Sequence, residues 1–332
     1  MERKTKIIAT VGPSLASESK INNIIDAGAN VLRINFSHGT LDDHRNVIEW
    51  ARNSKKQVAI MQDIQGPKIR TGISTKNTVL EKSKKVALTS IETESNQDIV
   101  FINYENLFAD VNIGDRVFID DGQIVLKVVE KEDDKLIALI LIGGELRNNQ
   151  GVAFPDSKLS VTAITEQDKE HLEFGSKYDV DFVAVSFVRN AADVNLVKEL
   201  IPSDVKVIAK IELKTALDNI EEILDVSDGV MVARGDLGVQ LPIEQVPFVQ
   251  KKILDAANKK GKFSITATEM LQSMKTAYRP TRAEVTDITN AILEGTDAVM
   301  LSAETSIGEN PNRVVEVMSI ICRETDSRND IS

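Results

Sequence analysis

Short apolar runs alternate with amphipathic stretches along most of the chain. Lys6–Gly12 (KIIATVG), Val31–Phe36 (VLRINF) and Val58–Ile64 (VAIMQDI) are near-continuous apolar runs. Between them, Ser17–Ala27 and Leu41–Ser54 carry apolar residues at helical spacing, and Gly28 is a natural helix stop. The alternation resumes after Pro155. Phe182–Phe187, Lys206–Glu212, Gly229–Gly235, Phe263–Thr268 and Ala298–Ala303 are the apolar runs. Helices are expected at Thr165–Tyr178, Ala191–Leu200, Lys214–Val226, Ile243–Lys260, Arg282–Glu294 and Asn312–Glu324. Strands that are apolar throughout belong to parallel sheets covered on both faces.

Residues 72–154 read differently. Five β-like runs, at Val86–Thr89, Ile99–Asn103, Arg116–Ile119, Gln123–Val129 and Leu136–Ile142, are separated by turn sequences such as Asp120-Asp121-Gly122. This is a small all-β module inserted into the alternating pattern. Without it about 250 residues and eight strand–helix units remain, the size of a (β/α)₈ barrel. An open doubly wound sheet would want a Gly-rich fingerprint after the first strand, and Thr10-Val11-Gly12-Pro13-Ser14 is not one. The expected fold is therefore a (β/α)8 TIM barrel over 1–71 and 155–332, with a β-barrel lid domain over 72–154.

Composition narrows the class of function. Aromatics make up 4% and aliphatics carry the core, as suits an α/β protein. The net charge is −11 with no basic tract, which argues against nucleic acid and anionic membrane surfaces as partners. Three histidines and one cysteine, Cys322, make a His/Cys zinc site and an intrachain disulfide untenable. The opening MERKTKIIATVG lacks the apolar run of a signal peptide, and no run has the length of a membrane span. A cytoplasmic protein is the default.

Charged residues placed where buried strands stop are the unusual feature. The active site of such a barrel lies at the carboxyl ends of its strands. Read in order, those ends give Arg33, Asn35 and Ser37; Asp63; Ser186; Lys210 and Glu212; Arg234 and Asp236; Thr268; Ser302 and Glu304. Two carboxylates, Glu212 and Asp236, suit a hard divalent cation, and Lys210, Arg33 and Arg70 suit anionic oxygens. Cations with a metal-binding carboxylate pair are what phosphoryl transfer requires. A structural ion pair at the sheet rim is the plainer alternative, but it does not explain polar groups on seven of eight strands. His38 and His44 read as hydrogen-bonding residues, His171 as an exposed helix residue and Cys322 as packing.

These residues stand in stretches that resemble pyruvate kinase over essentially the whole chain: TKIIATVGPS (5–14), LRINFSHG (32–39), QGPKIRTG (65–72), DDG (120–122), KIE (210–212), MVARGDLGV (231–239), PTRAE (280–284) and MLSAET (300–305). The resemblance implies that phosphoenolpyruvate and ADP are converted to pyruvate and ATP, the last step of glycolysis. It implies Mg²⁺ (or Mn²⁺) on Glu212 and Asp236, with the substrate carboxylate at the amides of Gly235 and Asp236 and at Thr268. Lys210 and Arg33 would stabilise the phosphoryl group, and the enolate would take its proton near Thr268. Asn35, Ser37, Asp63 and the backbone oxygen of Ile64 match the monovalent-cation site. Asn35, Phe36, Ser37, His38, Arg70 and Gln150 match nucleotide contacts. A homo-oligomer is expected.

Departures from the family pattern matter as much. The chain ends at Ser332, so the family's C-terminal regulatory domain is expected to be absent. Gln150 stands where the family has Lys, which implies weaker nucleotide binding. The segment after KIE reads ELKTA, and ATEMLQSM (267–274) places Glu269 beside Thr268. Lys68 stands where many members have Glu and implies that K⁺ is not required. Two other readings follow from the same residues. One is a metal-dependent pyruvate-enolate lyase or aldolase, which needs no nucleotide. The other is a ligand-binding paralogue without turnover.

Overall fold

The computed structural model describes residues 3–329. It divides into two compact units. The first comprises residues up to Gly66, Ile164–Leu237 and those from Gln245 on, and the second comprises Pro67–Ala163 with Gly238–Glu244.

The first unit is a closed barrel of eight parallel strands. We number them β1 (Lys6–Val11), β2 (Val31–Asn35), β3 (Ala59–Ile64), β4 (Phe182–Val185), β5 (Lys206–Ile211), β6 (Gly229–Ala233), β7 (Phe263–Ala267) and β8 (Ala298–Leu301). The strands pair in chain order, and β1 closes on β8 through Lys6–Ala298 to Ala9–Leu301. Successive side chains alternate between the inside of the barrel and the helix layer. Ile8, Val31, Met61, Ala184, Ile208, Met231, Ile265 and Met300 pack together as the inner core. Two residues further along, in the same phase, stand Thr10, Arg33, Asp63, Ser186 and Lys210. The strand period thus lays an apolar plug at the bottom of the barrel and a polar layer above it.

The helices follow from local sequence. Thr40, Thr165 and Thr281 each form a capping box with an acidic residue three positions on, namely Asp43, Asp168 and Glu284. Each box satisfies first-turn amides and sets the helix start. Three expected elements differ. The run Lys214–Val226 is two helices, Lys214–Asp218 and Ile220–Val226, because Asn219 leaves helical geometry between them. The expected helix at Ile243–Lys260 begins as a 3₁₀ turn and becomes α-helical at Val246. The strand expected to reach Gly235 stops at Ala233, and Arg234–Gln240 is helical. Arg234, Gly235 and Asp236 therefore lie on the first turn of a short helix. The sequence turns from apolar to polar there, so nothing rewards a longer buried strand.

Between Pro67 and Ala163 the second unit is all-β apart from the helical turn Leu107–Asp110. It contains one six-stranded sheet and one two-stranded sheet. Its core is formed by Val86, Leu88, Val117, Leu126, Val128 and Leu136 among others. No helix among the described residues is long and apolar enough to cross a membrane.

Gly229 shows how tightly the barrel is closed. A Cβ built there would lie 2.4 Å from the Phe263 carbonyl oxygen and 2.9 Å from Ile208 Cδ1. Backbone cannot move aside as a flexible side chain can, so Gly229→Ala is expected to lower stability by roughly 1–3 kcal/mol. Urea unfolding of the two proteins checks this, and equal midpoints would show that the strands part freely.

Candidate active site

Six buried side chains form one hydrogen-bonded string in the polar layer of the barrel. Arg33 donates through Nε to Asp63 Oδ2 at 2.6 Å and through Nη1 to Thr10 Oγ1 at 3.0 Å. Lys210 Nζ lies 3.2 Å from Asp63 Oδ1 and 2.9 Å from Glu212 Oε1, and donates to Ser186 Oγ at 2.7 Å. Glu212 Oε2 accepts from the Phe187 amide at 2.7 Å. Asp63 and Glu212 are each 1% exposed, and Arg33 and Lys210 are each 9% exposed. The register explains the meeting: Thr10 pairs with Arg33 across β1–β2, and Asp63 pairs with Ala184 across β3–β4.

Burial and charge compete at each of these groups. Burial by itself would push the Asp63 carboxyl up, but Arg33 and Lys210 outweigh it and hold the group below the ordinary carboxylate range. Burial by itself would lower the Lys210 ammonium, but Asp63 and Glu212 outweigh it and leave the group firmly charged. Glu212 goes the other way. Burial raises it, Lys210 pulls it back, and the negative charge of Asp236 pushes it up again. The net result is above the usual range.

A divalent cation beside Glu212 would favour its ionised form and so oppose that upward push. Glu212 and Asp236 offer hard oxygen ligands, and a divalent cation would relieve the mutual repulsion. No group of three or more His, Cys, Asp or Glu among the described residues is arranged around a metal position. The two carboxylates could therefore hold such an ion only with oxygens from substrate and water, as Mg²⁺ commonly is held.

Thr268 sits beside this string in an unusual backbone. It has φ of 69° and Glu269 has φ of 54°, although neither is glycine and Thr is β-branched. Its hydroxyl accepts from the Gly235 amide at 2.9 Å and donates to the Ala267 carbonyl at 2.6 Å. Glu269 is exposed, and Asp236 is half-buried.

The other predicted residues fall into smaller groups. Asn35 Oδ1 accepts from the Ser37 amide at 3.1 Å. The Ile64 carbonyl accepts from Ser186 Oγ at 2.7 Å. Phe36 is buried and His38 exposed. Arg70 and Gln150 belong to the second unit. There Arg70 Nη1 donates to the Asn149 carbonyl at 3.0 Å, and Gln150 Oε1 accepts from the Arg147 amide at 2.8 Å. Gln150 is 6% exposed, and its Nε2 has no partner. With Lys68 and Asp120 these residues line one cleft of the second unit.

Sequence reasoning missed two participants and misplaced a third. The amide of Phe187 reaches Glu212 because Phe187 takes φ of 55°, and a backbone donor leaves no mark in a sequence. Thr10 looked like an ordinary strand residue, although its two-residue offset from Ile8 placed it in the polar layer. His171 is buried at 8%, not exposed, and Phe36 packs on it edge-on: the Phe36 ring centroid lies 5.0 Å from that of His171 and 4.2 Å from that of His44.

Eight strands closed in parallel, with paired cations and carboxylates at the carboxyl ends where such barrels keep their active sites, define the class of a (β/α)₈ barrel enzyme. Residues 2–315 match the family model described as pyruvate kinase, barrel domain. The chain is 44% identical to the pyruvate kinase of Corynebacterium glutamicum, over 99% of this chain and 71% of that protein. It is 45% identical to that of Corynebacterium efficiens over the same shares, and 44% identical to that of Thermotoga maritima over 98% and 72%. The chain belongs to the pyruvate kinase family, a family of phosphotransferases.

The imidazole of His44 is pushed down to about 4, first by burial and then by His171, with Asp43 opposing. An unfolded chain protonates His44 below about 6.5, and the folded chain does so only near 4. The unfolded state therefore binds more protons within that window, and stability falls as pH drops from 6.5 towards 4. His44→Gln is expected to flatten this part of the profile. Urea midpoints at pH 7, 5.5 and 4.5 check it, and parallel profiles for the two proteins would refute it.

Proposed function

We propose that this chain catalyses Mg²⁺-dependent transfer of the phosphoryl group of phosphoenolpyruvate to ADP, giving pyruvate and ATP, as the last step of glycolysis in the cytoplasm. The observation that carries the reading is the buried string Arg33–Asp63–Lys210–Glu212 at the mouth of the barrel. Two cations with almost no access to water are held there by carboxylates, ready for an anion that enters from the strand ends. Family membership supports the same chemistry.

In this reading Lys210 and Arg33 face the equatorial oxygens of the phosphoryl group in flight. They are already desolvated and oriented, so little reorganisation is needed as charge develops. Asp63 holds both cations in place, and with Glu212 it keeps Lys210 charged. Glu212 and Asp236 hold the divalent ion, which when bound supplies positive charge at the substrate oxygens and the transferred group. The substrate carboxylate is assigned to the turn of Gly235 and Asp236 and to Thr268, whose hydroxyl accepts from the Gly235 amide. Thr268 stands beside the enolate carbon and orders the water that protonates it. The half-buried Asn35 and Ser37, with Asp63 and the Ile64 carbonyl, are assigned to a monovalent cation. Lys68 makes that ion dispensable, so K⁺ is not required. Phe36, His38, Arg70 and Gln150 are assigned to the nucleotide, and the active species is assigned as a homo-oligomer.

Pyruvate formation from phosphoenolpyruvate with Mg²⁺ is expected to need ADP and to proceed without K⁺. Folded protein that gives no ADP-dependent pyruvate would overturn the reading in favour of an enolate lyase or a non-catalytic ligand binder. Glu212→Ala is expected to remove Mg²⁺-dependent turnover by at least about 10³-fold while leaving the fold intact by circular dichroism. Surviving turnover would rule out the metal assignment. Gln150→Lys is expected to lower the KM for ADP severalfold, and an unchanged KM takes Gln150 out of the nucleotide site.

A further inference from the structure

The turn after β7 holds two successive non-glycine residues, Thr268 and Glu269, in left-handed backbone. Such conformations persist only where surrounding contacts over-determine them. One side chain dominates those contacts at Thr268. Arg234 donates through Nη2 to the Thr268 carbonyl at 2.6 Å, and through Nε to the Ala267 and Thr268 carbonyls at 3.2 Å each. Its third nitrogen, Nη1, is held by both oxygens of Asp287, at 2.8 and 2.7 Å. The Arg234 side chain is 10% exposed. The residue after it, Gly235, donates its amide to the Thr268 hydroxyl. One short segment thus fixes the backbone of Thr268 and the direction of its hydroxyl together.

We propose that Arg234, anchored by Asp287, is a positioning residue for the proton-transfer half of the reaction. It rests on the assignment of Thr268 to the protonation step. In that step the π pair of the enolate forms a C–H bond at C3 with a proton from the water on Thr268, and the enolate oxygen becomes the ketone oxygen. The lost proton is restored from solvent. In this role Arg234 acts through the Thr268 backbone and not on the substrate or the metal. Its planar fork spans two carbonyls and a carboxylate at once, which a lysine ammonium cannot do. Downstream, Glu304 accepts from the Leu271 amide at 3.1 Å and Glu284 from the Ser273 amide at 2.7 Å. These contacts hold the far side of the turn and do not reach Thr268; among the described residues the side-chain hydrogen bonds that tie Thr268 to segments outside its own turn come from Arg234 and Gly235.

The test compares Arg234→Lys, Asp287→Asn and Thr268→Ala in the same assay. Arg234→Lys is expected to lower kcat about 10- to 100-fold, with the KM for phosphoenolpyruvate changed less than about threefold. The solvent deuterium isotope effect on kcat is expected to rise as protonation becomes limiting, and to match that of Thr268→Ala. Asp287→Asn keeps the guanidinium but loosens its anchor, so a smaller change in the same direction is expected. It carries the test should Arg234→Lys fail to fold. Loss of kcat with an unchanged isotope effect, or equal loss through KM, would show a merely structural role and overturn the proposal. So would unchanged kinetics in both the Arg234 and Asp287 variants while Thr268→Ala is impaired. If Thr268→Ala itself has normal kcat and isotope effect, the assignment of Thr268 falls and the proposal falls with it.

Discussion

The structure depends on one compromise, the burial of four charges in the mouth of a barrel. Each contact in the Arg33–Asp63–Lys210–Glu212 string is worth about 5 kcal/mol at 3 Å and an effective dielectric of about 20. Removing each ion from water costs several kcal/mol. The two terms nearly cancel, so the string adds little to stability and could be replaced by apolar residues at small cost. Stability therefore does not account for the string, whereas the proposed binding of an anionic substrate gives it a use. The barrel contributes rigidity. Ile8, Met61, Ile208 and Met231 plug the layer below, and the hydrogen-bonded strands fix where Arg33, Asp63 and Lys210 stand.

The same economy governs the backbone around the site. Phe187, Thr268 and Glu269 all have positive φ, and all three lie within two residues of the end of a barrel strand. At Phe187 the reward is an amide aimed at Glu212. At Thr268 it is a hydroxyl aimed by the Gly235 amide and a carbonyl pair held by Arg234. Strain is concentrated where the strand must turn sharply and still present a polar group to the barrel mouth. Elsewhere the first unit is conventional: capping boxes start its helices, and its strands are apolar in phase with the pleat.

The aromatic group behind β2 links packing to charge. Phe36 lies against both His44 and His171, and burial keeps His44 neutral through ordinary pH. An exposed pair of imidazoles would have been charged below pH 6.5 and would repel. Packed under Phe36 they serve as flat, mostly apolar surfaces, with the cost appearing only in acid.

The chain itself determined the architecture. Eight apolar runs separated by helical spacing, with a β-rich stretch between the third and fourth, leave few arrangements that bury every strand on both faces. It also determined which residues are chemically odd, because Lys210, Glu212, Asp63 and Arg33 interrupt runs that are otherwise apolar. The period of two placed them in one phase with Ile208, Met61 and Val31, and so inside the barrel. Three-dimensional closure decided the rest. Which cation sits on which carboxylate is set by register between strands far apart in the chain, as with Asp63 and Lys210. Arg234, Gly235 and Asp236 follow directly on an apolar run in sequence, and the chain turns into a helix there once β6 has spanned the barrel. The Phe187 amide, the left-handed Thr268 and the clamp from Arg234 to Asp287 are backbone and long-range facts. No local pattern encodes them, because their energies arise only when separate segments are brought together.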